Sequence, residues 1–376
     1  MSHTDGTRDT GGLATDEFRS FGVEEEYLLL DAAHGAPTDL AADMVRSAPH
    51  SVAPAEREFF SSQLETATQV CRTADEALET LTGFRTALSR EAADRGIVLA
   101  GSGLPPVGGE AAGTVTPKSR YRELGEQLRN AAAYQYVTGT HVHVEIPSPD
   151  AGVEVLARLA PWAPALLAMT ANSPLWCGEP TGFASWRHVM NMSWPVAGFP
   201  PEFDSGEAYA RSVEQLVESG VLLDSGVVTW LARLSQNFPT MELRIADAQL
   251  EAEDAVCFAV LVRALVDRAL SEAEAGEPRP SIAHGLVNGA IWMAARDGLG
   301  AQLIDPLTAR PEPAFDTLER MAASVENELR RTGDHDRVSR YLDRLRRTGG
   351  PARRQLERFE AEGLEGLIGL YRESSR

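Results

Sequence analysis

The stretch 138–146, Thr-Gly-Thr-His-Val-His-Val-Glu-Ile, constrains this chain more than any other. Side chains alternate between the faces of a strand, so Val142, Val144 and Ile146 share one face, and His141, His143 and Glu145 share the other. One face can pack in a core while the other presents imidazoles and a carboxylate able to hold a metal or move a proton. A lone His-x-His fits an ordinary half-buried strand equally well, but two more stretches of the same kind favour a site. In 21–30, Phe-Gly-Val-Glu-Glu-Glu-Tyr-Leu-Leu-Leu, Glu24 and Glu26 share a face. Three adjacent glutamates repel one another and are poor strand formers, so a compensating cation is expected. In 241–247, Met241, Leu243 and Ile245 take the packing face and Glu242 and Arg244 the opposite one, where the competing reading is a surface salt-bridge ladder.

Charge narrows the partners. The 55 acidic residues outnumber the 35 basic ones, for a formal net charge of -20, which opposes a phosphate backbone and argues against nucleic acid. Lys118 is the one lysine, so cationic contacts to carboxylates or phosphates fall to arginine, which grips them with two parallel hydrogen bonds. No apolar run approaches the roughly 18 residues of a membrane span, and the first 17 residues lack the apolar segment of a signal peptide. A cytoplasmic protein without a membrane partner is expected. Cys71, Cys177 and Cys257 are too widely spaced for a disulfide framework or a Cys-based zinc site and read as small buried hydrophobes.

Residues 1–16 read as a disordered tail and 17–376 as a single domain. Residues 58–66 read as a further strand with Ser61, Gln63 and Glu65 on its polar face. Thr73 and Glu76 have capping-box spacing ahead of a helix ended by Gly96. Residues 97–100 read as a short buried strand. The Gly- and Pro-rich 101–113 matches no phosphate-binding fingerprint, and Pro117 before Lys118 excludes a Walker loop. Ser119 opens a helix to about Ala133. Ser148 and Pro149 start an apolar helical segment that Pro161 and Pro164 kink or divide. Residues 181–188 read as a polar and aromatic loop, and 221–235 as containing a strand near Arg233 that forms a hairpin with the Glu242 strand. Buried and solvated helices fill 251–276, 282–296 and everything after Pro311. Strands interleaved irregularly with helices favour an α+β fold with an antiparallel sheet.

Five motifs in order resemble the glutamate-cysteine ligase type 2, or carboxylate-amine ligase, family of the glutamine synthetase-like superfamily: Gly22–Glu26, Gln63-Leu64-Glu65 with the residues to Cys71, Gly139–Val144, Thr181–Arg187, and Glu242-Leu243-Arg244. The resemblance implies a curved antiparallel sheet with helices packed on its back and a face that binds ATP, Mg2+ or Mn2+, and an amino-acid carboxylate. Glu24, Glu26, Glu65, His141 and Glu242 resemble the metal ligands. His143 resembles a nucleotide-side residue, as does Arg233, and Arg244 the arginine that stabilises the transferring phosphoryl group, with Glu242 beside it in catalysis. Arg120, Arg187 and Gln63 are candidates for binding the acidic substrate. Carboxylates with imidazole and no thiolate form a hard site suited to magnesium or manganese. The implied partners are a small amino acid and an amine, and a homodimer is left open. The chain departs from the family at Leu231 and Leu234, where Asp and Pro are usual, and at Ala290, Ile291 and Met293 around Trp292, where Asn, Arg and Arg are expected. Rival readings are a metal-dependent hydrolase using His141 and His143 and a non-catalytic binding protein of the same fold.

Overall fold

In the computed structural model, which describes residues 18–49 and 51–375, the motif strands are neighbours in one sheet. The tail expected at 1–16 lies outside the described residues. The strands are β1 (Phe21–Asp31), β2 (Glu56–Arg57), β3 (Gln63–Ala67), β4 (Ile97–Ala100), β5 (Gly139–Glu145), β8 (Ala232–Leu234) and β9 (Thr240–Asp247), with a small hairpin of β6 (Leu175–Trp176) and β7 (Glu179–Pro180) apart from them. They run in the order β2-β3-β1-β5-β9-β8, every pairing antiparallel, and β4 extends the sheet beside the C-terminal half of β1. This is the mixed fold with an antiparallel sheet that the sequence led us to expect.

Alternation does what the sequence required of it. Val23, Val142, Val144, Met241, Leu243 and Ile245 are all buried on the packing side. The helix α8 (Ala252–Glu274) lies against β1 and β5 there. It is buried on every side from Val256 to Leu265, matching a sequence that is apolar there except for Arg263, which is paired with Asp334. Each such aliphatic side chain removed from water contributes about 1.5–3 kcal/mol. The helix α2 (Ala74–Asp94) packs on α8 and β4, opened by the expected Thr73 and Glu76 capping box. The segment after Ser148 is α4 (Pro149–Leu159), a 3-10 turn at Ala160–Trp162 and α5 (Ala163–Thr170), so the prolines divide it. Together these have the length and hydropathy of a membrane span, more than the sequence pattern had led us to expect, and 83% of that apolar window is buried inside the protein.

Glu25 resolves the glutamate triplet from the far side of the sheet. It is buried with Arg85 of α2, whose Nη2 and Nε donate to its carboxylate at 2.5 and 3.0 Å, and Tyr27 donates its hydroxyl to the same group. The cation expected for three glutamates is thus a protein guanidinium for the middle one, while Glu24 and Glu26 face the opposite way.

Other expectations need correction. The strand at 58–66 begins only at Gln63, because Phe60 starts a tight turn: its carbonyl accepts from Gln63 N, and Ser61 N donates to Thr114. The loop at 181–188 gives way at Ser185, which caps the short helix α6 (Trp186–Asn191) and buries Arg187 and His188. The region after Pro311 is not wholly helical, since β10 (Gln302–Asp305) and β11 (Arg310–Pro313) form a hairpin before the terminal helices. Of the cysteines, Cys71 and Cys257 are buried but Cys177 is exposed.

Candidate active site

Strand register assembles the polar face into cross-strand rows, in which opposed side chains lie close enough to interact. Glu26 stands opposite Glu65, and Glu24 opposite His141. His143 stands opposite Glu242, which in turn faces Arg233 of β8. A bulge between Thr140 and Val142 shifts the β5–β9 register and brings Arg244 to His141, Nη1 to Nδ1, at 3.4 Å. Glu24, Glu26, Glu65, His141, Arg187, Arg233 and Arg244 line one cavity of about 270 Å³. Arg120 and Gln63 also reach it, so every residue proposed from sequence is at this face or its rim, with His143 and Glu242 opening onto a larger neighbouring cavity of about 840 Å³.

Glu24 is the hub. Its carboxylate lies 3.3 Å from His141 Nδ1 and 3.2 Å from His143 Nε2. Burial would raise its pKa, but the two imidazole hydrogen bonds win and hold it far below the ordinary carboxylate range. His141 titrates low, at about 4, because burial and then the Arg244 charge both disfavour imidazolium. It is therefore neutral at physiological pH, with a nitrogen lone pair available. Glu242 is held below its usual range as well: burial opposes this, and Arg244 and Arg233 outweigh it. Arg233 grips both its oxygens, Nε to Oε2 at 2.6 Å and Nη2 to Oε1 at 3.1 Å, and Arg244 Nη1 also donates to Oε1.

The remaining carboxylates lack such partners. Glu26 is pushed up to about 7 by burial and by the charge of Glu58, although Gly139 N donates to it at 2.6 Å. Glu65 and Glu58 are raised for the same first reason, burial, with Glu65 also repelled by Glu58, Glu26 and Glu24. A divalent cation would relieve this crowding. The donor set fits one: ligand atoms of Glu24, His143 and Glu242 lie within 4.8 Å of one another, and the buried Nε2 of His141 has no hydrogen-bond partner. His143 thus joins the candidate ligands as well as facing the larger cavity. A carboxylate oxygen has lone pairs to spare beyond its arginine contacts, so Glu242 can serve both guanidinium and cation.

The substrate candidates separate. Arg187 is buried under Gly139, where any Cβ would meet its Nη2 at 2.3 Å, and its Nε has no partner. Arg120 instead spends its planar fork on Asp224, two bonds of 2.8 Å at the exposed rim. Gln63 is a brace: its Oε1 accepts from Phe60 N and its Nε2 donates to Val137 O.

Two contributors escaped sequence reasoning. Glu58 lines the cavity and accepts from the Tyr121 hydroxyl at 3.2 Å; the turn before β3 breaks the alternation that would have revealed it. Asp247 is a carboxylate on the packing face, a signal that was visible. It accepts from Asn172 N, Ser173 Oγ and Ser185 Oγ at 2.7, 2.7 and 2.9 Å and faces Arg187 at 3.7 Å, fixing the loops that carry that arginine.

The chain resembles known proteins in sequence and in fold. Relatives include a protein of Saccharopolyspora erythraea carrying the provisional name glutamate–cysteine ligase 2-2, 39% identical over 93% of this chain and 91% of that one. Another of the same provisional name, from Mycobacterium sp. strain KMS, is 38% identical over 91% and 94%. Among solved structures, Francisella tularensis glutamate–cysteine ligase in complex with AMP superposes with a TM-score of 0.71 at 12% identity, covering 95% of this chain and 88% of that one. A bifunctional glutathione synthetase from Pasteurella multocida gives 0.67 at 16%, over 96% of this chain and 52% of that one. These two likenesses establish the fold. The sequence model of glutamate-cysteine ligase family 2 matches residues 20–373, which takes in every strand of the site, and the chain belongs to that family.

Proposed function

We propose that this protein joins the γ-carboxylate of glutamate to an amine, using ATP to activate the acid as an acyl phosphate and releasing ADP and phosphate. It is an ATP-dependent carboxylate-amine ligase, an enzyme that forms carbon–nitrogen bonds. The observation carrying the detailed reading is the convergence on one sheet face of crowded carboxylates, neutral imidazole and Arg244. A carboxylate is a poor electrophile, and phosphorylation makes its carbon attackable. Catalysis of that transfer rests on position and charge.

Arg187 supplies a buried guanidinium with a free donor for the acidic substrate. Arg244, fixed by Glu242 and by its main-chain N–H to Leu231 O at 2.8 Å, points its fork at the place where phosphoryl oxygens change charge. Glu24, Glu26, Glu65, His141 and Glu242, with His143, would hold magnesium or manganese. That ion, when bound, neutralises phosphate charge. Glu58 lies outside the expected ligand set; with its pKa raised by burial, it would accept the proton that the substrate ammonium loses to become the attacking amine. A cytoplasmic setting, where ATP is abundant, suits this chemistry.

Neither the hydrolase nor the binding-protein reading is favoured, since family membership points to a ligase and Arg244 lies against His141 where a zinc hydrolase would need further ligands. The identity of the amine falls to the small cavity's wall, where Leu231 stands in place of the family's usual aspartate. The test is ADP formation over a matrix of amino acids and amines with Mg2+ or Mn2+. A ligase sustains ADP formation only when acid and amine are both present; glutamate must be the preferred acid, and repeated ADP turnover without an amine, or no turnover with any pair, overturns the proposal.

A further inference from the structure

The two cavities meet at Glu24 and Arg233, and they differ in size and charge in a way that orients a nucleotide. The smaller one, about 270 Å³, is below the roughly 300–1,000 Å³ that small-molecule pockets occupy and is already shared by the acid-binding groups. The larger, about 840 Å³, opens outward between α4, α7 (Gly206–Glu218) and the turn joining β8 to β9. Arg233 stands at the floor with the candidate cation ligands Glu24, His143 and Glu242, while the exposed Asp150, Glu207 and Glu214 flank the way out. A triphosphate is repelled by that outer wall and drawn to Arg233 and to the cation those ligands would hold, so the uncharged base is left at the mouth.

At that mouth stands Phe238, at the tip of the β8–β9 turn. It is 61% exposed, and none of the other large exposed hydrophobics among the described residues lines this cavity. Its place on the cavity wall, rather than its exposure, makes it a candidate contact for a ligand's flat apolar part. Its ring meets the His143 imidazole at 87° with centroids 6.2 Å apart. Such an edge contact engages at most one face and leaves the other free for stacking. We infer that Phe238 stacks on the base of the bound nucleotide and thereby sets nucleotide affinity, an assignment that rests on the ATP-dependent reading above.

The test uses the full-length protein with Mg2+ and the variants Phe238→Ala and Phe238→Trp. It measures Kd for ADP and for inorganic tripolyphosphate, together with KM for ATP and for glutamate. Base stacking on an aromatic side chain predicts that Phe238→Ala raises Kd for ADP and KM for ATP by about tenfold. The Kd for tripolyphosphate and the KM for glutamate should stay unchanged, and Phe238→Trp should restore ADP binding. Unchanged ADP affinity in Phe238→Ala, or equal weakening of ADP and tripolyphosphate, overturns the inference while leaving the ligase reading intact. Wild-type protein that binds no ADP and turns over no ATP removes both.

Discussion

Glu26→Gln should make the cation-free protein more stable and the enzyme inactive. Glu26 titrates at about 7 against an ordinary value of 4.5 because burial and the Glu58 charge disfavour its ionised form more than Arg244, Arg187 and the Gly139 N–H favour it. A folded-state pKa above the unfolded one means that the folded state binds more protons in between. Stability is then highest below pH 4.5 and falls as pH rises to about 7. The roughly 2.5-unit shift, at about 1.36 kcal/mol per unit, amounts to about 3 kcal/mol. An unfolding entropy of about 2.1 cal/mol/K per residue over the whole chain converts this to about 4 °C in Tm. Glutamine keeps an oxygen to accept the Gly139 N–H and drops the charge.

Thermal unfolding in EDTA should therefore give equal Tm values for wild type and variant near pH 4.5, and a variant about 4 °C higher at pH 8. Adding Mn2+ should reverse the order at pH 8, because ligand carboxylates must be ionised to bind, and the wild-type gain should grow with pH. Equal stability at pH 8 without metal would mean that Arg244 and Arg187 already neutralise Glu26, and the argument that this cluster awaits a cation would fail.

Arg244→Lys keeps the charge beside Glu242 but replaces a planar fork with a single flexible donor. We expect kcat to fall about a hundredfold, the scale for losing one preorganised donor, with the KM for ATP little changed; a lower Tm with normal kcat would make Arg244 a structural ion pair. Arg187→Ala should raise the KM for glutamate much more than that for ATP. Steady-state kinetics with each substrate varied in turn reads this, and equal effects on both would take Arg187 out of the acid pocket.

The rows of the site were legible because period-two alternation is local. Glu24 and Glu26, His141 and His143, and Glu242 and Arg244 each reveal a shared face within a few residues, and pairing the strands follows from burying Val142, Leu243 and their neighbours. What the sequence concealed arises where that period breaks or where contacts come from far along the chain. Glu58 reaches the cavity across a turn. The bulge that delivers Arg244 to His141, with Arg244 and Ile245 of β9 set against the single His141 of β5, has no glycine or proline among those residues to mark it. That Arg120 is neutralised by Asp224 depends on the first turn of a helix meeting, at the rim, a turn about a hundred residues further along the chain. The hairpin at Gln302–Asp305 and Arg310–Pro313 was missed for another reason: its strands are short, polar and mostly solvent-facing, so they carry no apolar alternation at all.

The arrangement also explains how such a site can change its amine without losing phosphoryl transfer. Arg244 is held at one end by Glu242 and at the other by a hydrogen bond from its own N–H to the carbonyl of Leu231. That second anchor is main chain, so any residue other than one that breaks the strand edge can supply it. The side chain at 231 meanwhile lines the small cavity beside Arg187 and Arg233. Exchanging a polar group there for leucine replaces a buried hydrogen-bonding wall with an apolar one, and the expected consequence is a shifted preference among amines, read by comparing kcat/KM across amines in Leu231→Asp and wild type. The exchange does not move the guanidinium or the carboxylate–imidazole rows, whose places are set by strand register and by α8 behind the sheet. Specificity and activation chemistry thus sit on the same residue pairs but on different atoms, side chain for one and backbone for the other.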